Sequence, residues 1–187
     1  MTQKFKHFSS IAVAAIVLFA TSCSKDDDPI PEENDNEVIT TVQLRFKEQG
    51  TTNELLYAWK GADGAGGNAP VIDQIALQPG KSYDVSVSFL DEVNGEDITE
   101  EVSEENIDHR IYYVPSSTSN IQITNLDKDD NNVTLGLESV WTTTTASTGT
   151  VRVVLRHYPQ GGKIETDLIN DPKSSTDVDI QFNSKVE

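Results

Sequence analysis

The sequence predicts an all-β fold, an antiparallel immunoglobulin-like β-sandwich of about nine strands with at most one short helix. Three observations carry that expectation. Short runs from residue 38 onward alternate apolar and polar side chains with a period of two, as a strand with one buried face requires. Gly, Asn, Asp and Pro separate these runs at the short spacing of turn-linked strands. No strand–helix unit repeats along the chain, so a parallel α/β sheet has no basis.

Taken in order, Val42, Leu44 and Phe46 alternate with Gln43, Arg45 and Lys47, and Leu55, Tyr57 and Trp59 repeat the pattern beyond a polar turn. The two runs predict a hairpin. The glycine-rich stretch 61–70 then reads as a long loop, or as a cation loop using Asp63 and Asn68; no helix follows it to make a phosphate-binding turn. Further strands are expected at 71–77, 83–90, 110–114, 120–126, 133–142, 150–157 and 178–182. In 83–90, Tyr83, Val85, Val87 and Phe89 face one way and Asp84, Ser86 and Ser88 the other. The helix candidate is 97–106, with Asp97 as cap, Glu100 three residues on, and Ile98 and Val102 as its thin apolar stripe.

The N-terminal part reads differently. Lys4 and Lys6 precede an apolar run from Ile11 to Ala20, followed by the small residues Thr21 and Ser22. This is the composition of an export signal, and the run is too short for the roughly 20 residues that span a bilayer as a helix. Cys23 follows directly and is the one cysteine of the chain, so no internal disulfide or thiolate cluster is available. The stretch resembles the lipobox of bacterial lipoproteins, with Ala20 where that pattern usually has leucine. The resemblance implies a lipidated Cys23 and attachment to a membrane. Ser24, Lys25, Asp26, Asp27 and Asp28 look like the acidic export tag of Bacteroidota-type surface lipoproteins, which implies the exterior face of the outer membrane. From there to residue 37 the sequence is almost devoid of apolar side chains and cannot bury enough surface to order itself. The expected organisation is therefore a signal peptide at 1–22, a lipidated cysteine and disordered acidic tether at 23–37, and the sandwich at 38–187.

The balance of 31 acidic against 14 basic residues gives a formal charge of -17. A phosphate-binding basic face is not available, and nucleic acid is not an expected partner.

Two constellations suggest ion chemistry. Asp127, Asp129 and Asn131 stand at alternate positions, with Glu138 at the twelfth counted from Asp127, as in a calcium loop; Asn132 occupies the place of the usual glycine. The competing reading is an acidic hairpin turn. His109 follows Glu104, Glu105 and Asp108, and His157 ends a strand beside Tyr158. Brought together, the two imidazoles would ligate a divalent metal ion such as zinc or copper, or haem iron; apart, they are surface histidines. Catalysis lacks support, because nucleophile elbow, HExxH motif and thiol nucleophile are all missing.

Beyond the lipobox, Ile39-Thr-Thr-Val42, Trp59, Asp63-Gly64, Gly66-Gly-Asn-Ala-Pro-Val-Ile72, Asp97-Ile-Thr-Glu-Glu101, His109 and Val153-Val-Leu-Arg-His157 resemble a family of small flavobacterial-type outer-membrane lipoproteins. That family carries the label of a type 1 periplasmic binding fold, which would imply two α/β lobes where this chain shows strands. The resemblance also implies association with TonB-dependent receptors. Two functions follow as expectations: a non-enzymatic ligand-capture or accessory subunit of such a transporter, for metal or haem, and a structural or adhesive module binding protein or glycan. Co-location of His109 and His157 would favour the first, their separation the second.

Overall fold

The computed structural model describes residues 38–61 and 69–187. The signal segment, Cys23 and the tether, and Asp63 and Asn68 of the glycine-rich loop lie outside the described residues. Asp35–Glu187 forms one compact unit.

The described residues form two packed sheets, an all-β sandwich. One sheet contains β1 (Thr41–Glu48), β2 (Glu54–Lys60), β3 (Val71–Ile72), β5 (Ser82–Asp91), β6 (Glu96–Asp97), β8 (Ile121–Thr124) and β9 (Glu138–Thr143), in the order β3-β2-β1-β5-β9-β8 with β6 beside β5. The other contains β4 (Ile75–Leu77), β7 (His109–Pro115), β10 (Ser147–His157) and β11 (Ser175–Val186), in the order β4-β11-β10-β7. Neighbouring strands are antiparallel except β4, which runs parallel to β11.

Alternation does what period two demands. Val42, Leu44 and Phe46 of β1 lie opposite Phe89, Val87 and Val85 of β5, and all six are buried. The facing sheet contributes Ile111, Val151, Val153, Leu155, Ile180 and Phe182. Phe46 is ringed edge-on by Tyr57, Tyr83 and Trp141 at centroid distances of 5.6, 6.0 and 5.1 Å, geometry that adds to simple burial. Tyr113 of β7 meets Trp141 of β9 at 5.6 Å and ties the two sheets together.

Three expectations are corrected. The run 71–77 is two strands in different sheets. Asp73 interrupts it: its amide donates to the Ala58 carbonyl and its carboxylate accepts from the Ala58 amide, which ends β3 on β2 and sends the chain across to β4. The run 133–142 becomes strand only at Glu138, because Gly136 takes φ +97°, where a Cβ would stand 2.9 Å from the Ile111 carbonyl oxygen. The split of 71–77 adds one strand and β6, paired with β5, adds another, giving eleven strands among the described residues, two of them two-residue pairings, instead of about nine. The helix α1 (Ile98–Glu104) forms where expected, with the Asp97 carboxylate accepting from the Thr99 amide and Ile98 and Val102 buried. Among the described residues no helix is long and apolar enough to cross a membrane.

Candidate metal centre

On the inner face of the second sheet, β10 and β7 are paired row by row: Val153 with Tyr113, Leu155 with Ile111, and finally His157 with His109. The apolar core column thus ends in two imidazoles. Their rings are stacked, with centroids 4.8 Å apart and planes 15° from parallel. Register alone places them together: both point inward because both sit an even number of residues from core positions on adjacent strands.

His109 is fully buried, His157 half-buried. The stretch after α1 folds back over His109, whose Nδ1 lies 3.2 Å from the Glu105 carbonyl oxygen. A carbonyl only accepts, so Nδ1 carries the hydrogen and Nε2 keeps the lone pair. Burial depresses the His109 pKa to about 4, against a small upward pull from the Glu105 carbonyl; neighbouring His157 and Lys163 depress it further. The ring is neutral near pH 7, the form in which imidazole binds a metal.

The backbone around His109 is held on several sides. Lys163 donates to the His109 carbonyl at 2.5 Å and the Asn106 carbonyl at 2.8 Å. The Tyr158 amide donates to the Asp108 carbonyl at 2.5 Å, and the Gly161 amide donates to the Asp108 carboxylate. These contacts hold the His109 backbone in place, as outer contacts do where an imidazole serves as a ligand.

Glu105, His109 and His157 each offer one ligand atom, all within 4.8 Å of one another. Among the described residues no other trio of His, Cys, Asp and Glu comes together in this way. Metal–ligand bonds of roughly 2.0–2.1 Å require donor atoms somewhat closer than that. The exposed Glu105 and half-buried His157 are the side chains with room to rotate.

No family model, curated protein or solved structure matches this chain. The chemistry of the site is therefore read from its own side chains. Two imidazoles and a carboxylate without sulfur suit a borderline divalent ion such as zinc or copper(II). The two rings are stacked, 15° from parallel. A porphyrin iron, which takes two imidazoles on opposite faces, would need them head-on, so the arrangement suits an ion better than haem.

The calcium-loop reading of Asp127, Asp129, Asn131 and Glu138 gives way to a hydrogen-bonded turn. Asp127 Oδ1 accepts from the amides of Gly136 at 2.9 Å and Glu138 at 3.0 Å. Asp129 Oδ1 accepts from the amides of Asn131 at 2.9 Å and Val133 at 2.7 Å, while Oδ2 pairs with Lys163 Nζ at 2.9 Å. Asn131 and Glu138 are exposed. The carboxylates are turned to backbone amides, and a lysine ammonium occupies the place a cation would take.

Sequence reasoning named His109 and His157 but did not single out Glu105 or Lys163. The i, i+4 spacing of Glu105 and His109 was visible as a signal. Lys163, far along the chain on a loop, carried none.

Proposed function

We propose that this chain is a lipid-anchored, non-enzymatic protein of the outer-membrane exterior whose β-sandwich captures a divalent transition-metal ion at Glu105, His109 and His157, as an accessory of a TonB-dependent receptor. The observation that supports capture over adhesion is the meeting of the two histidines with a third donor inside 4.8 Å. Anchoring rests on Cys23, placed directly after the apolar export run. Each buried methylene contributes about 0.8 kcal/mol to membrane attachment, so two or more acyl chains on one residue hold a protein stably where a single chain does not. The acidic segment that follows would keep the sandwich off the bilayer.

One feature favours a protein partner in addition. β3 covers only the end of β2, and Leu55, Leu56, Val71 and Ile72 are exposed along that sheet edge. An edge of this kind offers free backbone groups and apolar side chains to an incoming strand, as a receptor loop would supply.

Isothermal titration with zinc, copper(II), calcium and haemin tests the capture reading. Tight binding of zinc or copper, abolished by His109→Ala and by His157→Ala, is the expected result. Absence of heat with both ions in the wild-type chain would overturn it and leave the β2–β3 edge as the functional surface.

A further inference from the structure

The outer edge of β2 is covered along only part of its length. β3 pairs with Trp59 and Lys60, and Asp73 takes up the amide and the carbonyl of Ala58. These two groups point away from β1, and in an antiparallel strand that direction alternates from one residue to the next. The amides and carbonyls of Leu56 and Glu54 therefore point the same way, and among the described residues no strand lies against them. The inner face at this level is open as well. Register sets Leu55 opposite Phe46 and Tyr57 opposite Leu44, so both side chains turn towards the second sheet, which ends at the short strand β4. Tyr57 reaches that strand, its hydroxyl donating to the Ala76 carbonyl at 2.5 Å. Leu55 remains 39% exposed, and a groove of about 620 Å³ opens beside it, with Ala76, Leu77 and Tyr83 in its apolar lining. The charged residues that line it are Glu48, Glu54 and Glu187, with no lysine or arginine among them.

We infer that this edge and groove take an extended, basic segment of another protein, which adds a strand along Glu54–Leu56, lays an apolar side chain against Leu55 and brings cations to the three carboxylates. The inference rests on the reading of the β2–β3 edge as a protein-binding surface and is independent of the metal site. Its geometry is that of strand addition: backbone bonds to the unpaired groups of Glu54 and Leu56 supply attachment, and alternate side chains of the incoming segment supply selection. Charge decides among the occupants. The chain's own stretch 26–37 carries seven acidic residues and no basic one, and a second copy brings a formal charge of -17, so both meet like charge at this rim. A basic segment meets opposite charge. Glu48, Glu54 and Glu187 pair with Lys81, Arg45 and Lys185, whose side chains are all exposed. Exposed pairs of this kind contribute little, so an arriving cation can share or replace them.

The probe is a fluorescein-labelled peptide of alternating lysine and valine, six residues long, set against its counterpart of alternating glutamate and valine. With the full chain in a Cys23→Ser background, so that no thiol cross-links two copies, the lysine peptide is expected to give saturable fluorescence anisotropy and the glutamate peptide none. Hydrogen exchange of the Glu54 and Leu56 amides is expected to slow when the lysine peptide is added, which attraction by bulk charge alone cannot produce. Leu56→Pro removes one of the two edge amides and is expected to weaken binding at least about tenfold, whereas Leu56→Thr, which keeps the amide, stays within about twofold of wild type. If the proline variant fails to fold, the exchange measurement on the unsubstituted edge decides. Slowing of both amides by the two peptides alike would overturn the preference for a basic segment and keep the edge as a strand acceptor. No binding of either peptide, or binding of the lysine peptide that leaves both amides unchanged, would overturn strand addition itself. Amides already slow without peptide, together with a dimer in sedimentation, would overturn the basic partner in favour of a second copy.

Discussion

Replacing Lys163 with methionine would leave the Asp129 carboxylate, 1 % exposed, facing an apolar tip, and would strip the Asn106 and His109 carbonyls of their donor. Uncompensated buried charge of this kind costs about 3–5 kcal/mol. Urea unfolding of Lys163→Met should show a loss of that order, and the double variant with Asp129→Asn should recover part of it, because the stranded charge is then gone. Glu165 provides the pH-dependent counterpart. Its carboxylate accepts from the Thr134 amide and hydroxyl, each at 2.8 Å, and pairs with Lys128 at 2.9 Å. Lys128 first, then the Thr134 amide, holds its pKa down to about 2 against an ordinary value of 4.5. A carboxyl whose folded pKa lies below its unfolded one stabilises fully above the unfolded value and loses that contribution as pH falls through the folded one. The stability gap between wild type and Glu165→Gln should therefore be constant above about pH 5 and shrink between pH 4.5 and about 2, read from urea midpoints across that range. A gap that widened on acidification would refute the assignment.

At the level of single elements, β10 begins against the 116–119 turn with no space to spare. A Cβ on Gly149 would stand 2.5 Å from Ser116 Oγ and 2.7 Å from Ser119 Cα, and the latter is backbone that cannot swing aside. Gly149→Ala should cost about 1–3 kcal/mol, measurable as a lowered thermal midpoint, since overpacking forces the chain to shift. The elements also show what the sequence made legible. β5, and β1 from Val42 onward, were readable because apolar and polar side chains alternate through them without interruption. The split of 71–77 was hidden because Asp73 acts through a partner on another strand, Ala58, which no local pattern reveals. His109 and His157 could be named, but their meeting depended on the register of β7 with β10. The inward turn of Asp177 on β11 was concealed by a β-bulge where Leu155 pairs with Val178 but Arg156 with Thr176: one inserted residue reverses parity, so the same sequence that reads as an outward aspartate buries its side chain. The apparent calcium loop misled for a related reason. Alternating Asp and Asn satisfy backbone amides in a turn as readily as they bind an ion, and the lysine that completes the arrangement comes from more than thirty residues away.

At the scale of the whole molecule, the core assembled by Phe46, Tyr57, Tyr83 and Trp141 and its facing sheet is contained in Asp35–Glu187. A chain lacking residues 1–34 should melt at the same temperature as the full chain, by circular dichroism; a clear drop would mean that the removed segment contributes to the fold. The acidic surplus favours solubility of such a domain. The strand order has a further result. β11, last in chain order among the described strands, is interior to its sheet, flanked by β10 on one side and by β4 on the other, and the Glu187 amide closes the pairing on the Leu77 carbonyl. At about 5–20 residues per second, β4 waits roughly 5–20 s for a partner that lies about a hundred residues downstream. Until then β4 and β10 lack the strand that joins them, and the core lacks Val178, Ile180 and Phe182. The sandwich is thus a late folder, and a chain stopped short of β11 would carry both His109 and His157 and still lack the strand that packs beside them.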